Sequence, residues 1–306
     1  QLPEVYRVQG FFDPDSAVRE HVSSEFGLRA FDDPRALLEE VSALDIVAPT
    51  PAHYDLIKMG LESGKHVFTE KPVTQTVDEA RAIKQLLDKS ELKLQVGHVE
   101  RFNPAYQALA GQKLDPMFVE GHRLAMFNPR GTDVSVIHDL MIHDIDILVA
   151  VIPHDIHEIR ASGVSIVSSQ PDICNARIEF TNGAVANLTA SRISLKNMRK
   201  LRLFQPDAYI SMDFLEKKTD IVRLYDNATT SDQAFELELP GGSKWMEVSQ
   251  PDAVPNNAIV EELRSFSEAI LQNRRPDVPI DDALRSMEIA AGILKAIDES
   301  TERAKS

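Results

Sequence analysis

Apolar positions over the first hundred residues follow two alternating rhythms, short β-rich runs and stripes of helical period. Residues 5–12 read as a strand. Asp13-Pro14 opens a helix whose Val18, Val22 and Phe26 share one face at i, i+4 spacing, the mark of a buried stripe. Asp33-Pro34 repeats that start, followed by Leu37, Leu38 and Val41. Residues 44–48 form a β-rich run, and Thr50-Pro51 begins a helix that ends at Gly64. Residues 66–69 are the next strand. Thr76-Val77-Asp78-Glu79 is a capping box before the helix of Ala80, Ile83 and Leu87. Residues 92–96 close the series. Strands separated by helices pair in parallel, so residues 1–100 predict a doubly wound, Rossmann-type α/β domain.

Beyond residue 100 the period shifts towards two. Residues 118–127, 173–180, 184–189, 201–204, 209–214 and 235–239 read as strands, with Asn182-Gly183 a type I′ hairpin signal. Helices are expected at 139–151, 259–271 and 283–297. Residues 101–306 therefore predict an α+β domain built on a large, mainly antiparallel sheet. Such a sheet needs its outer face covered, which predicts a homo-oligomer, dimer or tetramer, paired through it.

Length supports two domains: 306 residues exceed one comfortable core. The net charge of −15 removes nucleic acid from the partners and requires any anionic ligand to meet a local cluster of Arg or Lys. No apolar run approaches the roughly 18 residues that span a bilayer. A single cysteine, Cys174, precludes a disulfide framework and suits a cytoplasmic protein.

A doubly wound sheet binds its ligand at the carboxyl ends of its strands. The usual G-x-G-x-x-G loop does not occur in this sequence, whereas residues 5–12 followed by Asp13 look like the second strand of such a fold with its ribose-binding acid. A preceding strand, loop and helix of about 30 residues would account for both facts. Asp13 is equally an ordinary helix N-cap. Thr50, Pro51 and His53 follow one strand end, and Glu70-Lys71-Pro72 follows another. A lysine there can hold an alcohol oxygen and stabilise developing alkoxide charge, although an isolated E-K-P is also a common surface loop.

The densest chemistry lies in His138-Asp139-Leu140-Met141-Ile142-His143-Asp144-Ile145-Asp146. On a helix, Asp139, His143 and Asp146 fall on one polar face, with Ile142, Ile145 and Val149 on the apolar stripe. Three readings compete: a solvated acidic face, carboxylate–histidine metal ligation, and a histidine general base oriented by a carboxylate. The lysine upstream favours the third, with Asp139 also able to hold a substrate hydroxyl.

Gly64-Lys65-His66-Val67-Phe68-Thr69-Glu70-Lys71-Pro72, then Asp139-x-x-x-His143-x-x-Asp146, resemble the paired motifs of the Gfo/Idh/MocA oxidoreductases. Pro51-x-His53 matches a further family region loosely, and Asn257-Ala258-Ile259 resembles its final crossing segment. The resemblance implies catalytic Lys71, Asp139 and His143, and a cofactor site of Asp13, Thr50, Pro51, His53, Glu70 and Lys71. It implies NAD rather than NADP, because a carboxylate at Asp13 would accept from a ribose hydroxyl and repel a phosphate. Residues 96–104 and 139–146 look most like the branch acting on the 3-position of UDP-N-acetylglucosamine. A substrate site of Arg101, Asn103, Arg123 and Arg130, with Asp139 and His143, would then hold the diphosphate. A dehydrogenase of a free sugar or polyol, and a non-catalytic regulator on the same fold, are the alternatives.

Overall fold

The computed structural model describes residues 2–129, 134–229, 231 and 233–305. The chain divides into two compact units, residues 1–98 with 259–284 and residues 99–258 with 285–306. The first unit thus takes a segment, 259–284, that the sequence reading assigned wholly to the second domain.

Residues 5–12 do not form the expected strand; a single parallel bridge, Phe11 to Ala30, is what they contribute. Helix α1 (Ser16–Phe26) is capped by Asp15, whose side chain accepts from Ala17 N, and it stops at Gly27, φ 66°. None of its residues is buried, so the stripe of Val18, Val22 and Phe26 is not a core face among the described residues. Helix α2 (Pro34–Glu40), capped by Asp33, precedes β1 (Ala43–Ile46), α3 (His53–Glu62), β2 (His66–Glu70), α4 (Val77–Leu87) and β3 (Leu94–Gly97). The capping box at α4 is present in full: Glu79 N donates to Thr76 Oγ1, and Thr76 N donates to Glu79 Oε2.

The three strands lie in the order β1-β2-β3, all parallel. Leu44, Ile46, Val67, Leu94 and Val96 share one face by register and alternation. Gly60 of α3 approaches that face closely, since a Cβ there would lie 2.8 Å from Leu44 Cδ1. Each fully buried side chain such as Ile57, Val67 or Val96 contributes roughly 1.5–3 kcal/mol.

The second unit opens with α5 (Pro104–Gln107) and β4 (Phe118–Leu124). A π-turn (Ile137–Met141) runs directly into α6 (Ile142–Val151). Strands β5 (Ile156–Val164), β6 (Ile173–Phe180), β7 (Val185–Ser191), β8 (Met198–Gln205), β9 (Ala208–Asp213), β10 (Lys218–Tyr225), β11 (Ala234–Leu239) and β12 (Gly242–Ser249) follow. Among the described residues they form one sheet, β11-β12-β10-β9-β8-β4-β7-β6-β5, in which only β4 and β7 pair in parallel. The hairpin at Asn182-Gly183 is not type I′. Gly183 has φ 84° but Asn182 does not enter the positive region, and Gly183 N donates to Phe180 O. The result is a longer loop with one left-handed glycine.

The sheet's inner face, with Ala176, Ile178, Leu188, Leu201 and Ile210, packs with Ile142, Ile145 and Leu148 of α6 in one core. Cys174 belongs to that core, and burial pushes its thiol up to about 12. On the opposite face Phe118, Phe204 and Tyr209 stack at 5.7 and 4.9 Å, and Phe204 remains exposed.

Helix α7 (Ala258–Leu271) belongs to the first unit from Ile259 on. Phe266 meets Phe68 at 5.8 Å, Tyr6 Oη donates to Leu263 O, and Gln95 Nε2 donates to Glu262 O. Those contacts are why the segment leaves the second unit. Helix α8 (Ile280–Lys305) ends the described chain. Among the described residues no helix is long and apolar enough to cross a membrane.

Candidate active site

In the first unit, parallel pairing brings the segments after β1, β2 and β3 to one edge of the sheet. Thr50 and Pro51 form a short 3-10 turn after β1. Lys71 follows β2, half-buried, with its amide donating to Glu70 Oε2 at 3.3 Å. Glu70 folds over Gly97 at the end of β3, where a Cβ would sit 3.1 Å from Glu70 Oε2. His53 is fully buried, and its two ring nitrogens lie 2.8 Å from Pro72 O and Ala48 O. It ties the two loops together and has no ring nitrogen left for a cofactor, which corrects its assignment to cofactor binding. Asp13 Oδ1 accepts from Asp15 N at 2.8 Å, so the helix cap is Asp15 and not Asp13.

Glu262, on α7, is buried with no hydrogen-bond partner for Oε2. Burial first, then the charges of Glu70 and Asp45, push its carboxyl up to about 8. Nothing in the sequence pattern marked this residue.

In the second unit, nearly every residue from Ser135 to Val149 is buried; Asp139 and His143 are among the few that stay partly accessible. Asp139 sits in the π-turn, with its amide donating to Ser135 O, and His143 in the first turn of α6. Single π-turns inside helices recur at functional sites. A partly accessible histidine four residues from a carboxylate carries a donor–acceptor pair of the kind that moves protons. Among the described residues no three His, Cys, Asp or Glu side chains cluster as a metal site.

Asp144 and Asp146 do not lie on a solvated face. Arg123 Nε donates to Asp144 Oδ1 and Oδ2 at 3.0 and 3.1 Å, its Nη2 to Oδ1 at 2.7 Å, and its Nη1 to Glu100 Oε1 at 2.8 Å. Arg101 Nε and Nη2 grip Asp146 Oδ2 and Oδ1 at 2.7 and 2.9 Å. All five side chains are buried. Burial pushes the Asp144 carboxyl up, partly offset by Arg123. Burial also works against the Arg123 charge, but Asp144 and Glu100 overcome it and raise the guanidinium above its ordinary value. The short, forked bonds make this an ion pair. Asn103 caps α5 through Ala105 N and donates to Glu100 Oε2 and Phe214 O.

These contacts correct the expected diphosphate pocket. Arg101 and Arg123 are committed to carboxylates, and Asn103 to a cap and two acceptors. Arg130 lies outside the described residues. The partners sequence reasoning missed, Glu100, Asp144 and Asp146, carry one usable signal: Glu100-Arg101 is a charged pair enclosed by Val99 and Phe102.

A parallel sheet with a lysine at a strand's carboxyl end, followed along the chain by a helix carrying Asp139 and His143, is the arrangement the comparisons with known proteins bear on. Two family descriptions match it: an oxidoreductase family with an NAD-binding Rossmann fold over residues 1–98, and a GFO/IDH/MocA C-terminal domain over residues 106–207. A UDP-N-acetylglucosamine 3-dehydrogenase from Acidithiobacillus ferrooxidans is 37% identical over 218 residues, 71% of this chain and 70% of that protein. A solved structure of that dehydrogenase superposes with a TM-score of 0.85 at 32% identity, covering 95% of this chain and 90% of the other. A scyllo-inositol 2-dehydrogenase (NAD(+)) from Bacillus subtilis is 30% identical over 201 residues, 60% of this chain and 58% of that protein. The chain belongs to the Gfo/Idh/MocA oxidoreductase family.

The first unit carries donors and acceptors of the types a dinucleotide uses. Asp13 accepts from the Asp15 amide through Oδ1, and its other carboxylate oxygen is of the type that would accept from a ribose hydroxyl. Thr50 and Lys71 add a hydroxyl and an ammonium at the strand ends, where a doubly wound sheet meets its ligand.

Proposed function

We propose that the protein oxidises a ring hydroxyl of a nucleotide sugar, at the 3-position of UDP-N-acetylglucosamine or a close analogue. The observation that carries this reading is the 37% identity, over 218 residues, to a dehydrogenase of that substrate. The arginines expected to hold the diphosphate no longer support it.

Bound NAD supplies the hydride acceptor. His143 takes the proton from the hydroxyl being oxidised. Lys71 donates to the same oxygen and steadies its negative charge as the carbon–hydrogen bond breaks. Asp139 orients the hydroxyl and the imidazole. The alcohol carbon loses a hydride and its oxygen a proton, leaving a ketone and a protonated His143. Asp13 accepts from the adenosine ribose, which favours NAD over NADP, and Thr50, Pro51 and Glu70 belong to the same cofactor region. A reducing cytoplasm, which a lone buried thiol suits, is the compartment this reading expects.

A polyol dehydrogenase is the second reading, favoured by the 30% identity to the inositol enzyme. With NAD present, NADH formation from UDP-N-acetylglucosamine is to be compared with that from scyllo-inositol. A kcat/KM at least about tenfold higher for the nucleotide sugar supports the first reading; preference for the polyol reverses it.

Pairing with a second copy through the outer face of the large sheet completes the proposal. Phe204, Phe235, Leu239 and Val248 are exposed large apolar residues of its strands. Light scattering should give a multiple of the chain mass, and F204E with V248E should lower it.

A further inference from the structure

We infer that Arg101 and Arg123 are positioning residues, which fix the rotation of α6 about its own axis and thereby aim His143. The inference rests on the reading of His143 as the proton acceptor.

Successive helical residues are about 100° apart around the axis. Taking His143 as the origin, Asp144 therefore lies near +100° and Asp146 near −60°. The two gripped carboxylates stand on either side of His143 around the helix. Each guanidinium binds its carboxylate with two nitrogens, Arg123 to Asp144 and Arg101 to Asp146, so each contact fixes direction as well as distance. A turn of the helix in either sense lengthens one pair or the other.

Apolar packing alone would specify this rotation poorly. Ile142, Ile145, Ile147, Leu148, Val149 and Val151 are all buried, so α6 is apolar nearly all round. The π-turn lies immediately upstream and holds one residue more per turn than an α-helix. Moving that extra residue down the chain would rotate the residues it passes over by about one residue's angle. The clamps fall directly downstream, at the place where such a slip has to be stopped.

The clamps are themselves anchored. Arg123 comes from β4, a central strand hydrogen-bonded to β7 and β8. Its second acid, Glu100, is held by Asn103, which also donates to Phe214 O at the end of β9. Buried ion pairs are weak evidence of stability and better attested as devices that select one arrangement over another.

The test uses R101K, which keeps the charge and loses the fork, and R101K/D146E, which lengthens the carboxylate to meet the shorter reach. In the parent and both variants, kcat, KM for NAD, the melting temperature and the pH titration of the His143 imidazole by NMR are measured. For R101K we expect a folded protein whose kcat falls between about tenfold and a hundredfold, with KM for NAD unchanged and the His143 titration displaced. The double variant should recover part of both. A lowered melting temperature with kcat and the His143 titration unchanged would overturn the inference. Should the parent reduce no NAD with sugar or polyol, the functional reading fails by itself. The His143 titration then still decides whether the clamps set its environment.

Discussion

Two buried charge clusters, one in each unit, are built in opposite ways. Beneath the His143 helix, Glu100, Asp144 and Asp146 face the guanidiniums of Arg101 and Arg123 at 2.7–2.8 Å. Under α7, Glu262 is buried with an unpartnered oxygen, and the charges acting on it are those of Glu70 and Asp45. The first arrangement is held by paired charges, each acid gripped by a guanidinium. The second holds only while Glu262 keeps its proton. A chain of net charge −15 thus places buried cations against the helix of His143 and leaves Glu262 to protonation.

The largest effect should come from breaking the paired cluster. R123M strands Asp144 and removes the nearest cation from Glu100, and the loss of a single partner from a buried pair costs about 3–5 kcal/mol. Urea unfolding of the variant checks this, and a loss below about 1 kcal/mol, as at exposed pairs, would mean that the pairing is incidental. On the other side, K71M should reduce turnover by about a hundredfold to a thousandfold, the size found when a donor to a developing oxyanion is removed. Steady-state rates at saturating NAD check this.

The unpaired cluster predicts a pH signature. Burial, with the charges of Glu70 and Asp45, raises Glu262 in the folded state to about 8 from its ordinary 4.5. Its favourable contribution is therefore complete below the lower value and lost as pH rises through the upper one. Thermal melts of the protein between those limits should show stability declining with pH, and E262Q should flatten the decline. A variant that keeps the full slope would assign it elsewhere. The smallest effect belongs to an exposed pair: R160A, which removes the bond to Glu158, should leave the urea midpoint almost unchanged.

The contrast also explains what was legible beforehand. The α4 capping box, the lysine after β2 and the Asp–His helix are local signals, each contained in a few neighbouring residues, and the structure keeps them as elements. The roles of Arg101 and Arg123 were misread because sequence reports charges without their partners. An arginine in an acidic chain suggests an anionic ligand, when the anions are Asp144 and Asp146 beside the proposed base. Strands β5, β10 and β12 went unseen because their partly exposed positions, such as those of Lys244, Trp245 and Met246, blur the period-two contrast between faces. Residues 5–12 have a strand's composition, but pairing requires a neighbour, and the described structure offers them one bridge.

The most direct test compares the parent with H143Q by incubating each with NAD and UDP-N-acetylglucosamine and following NADH with time. The account predicts NADH accumulation in the parent and a rate lower by about a hundredfold or more in H143Q, with equal NAD affinity in the two proteins. Equal rates of NADH formation would contradict it.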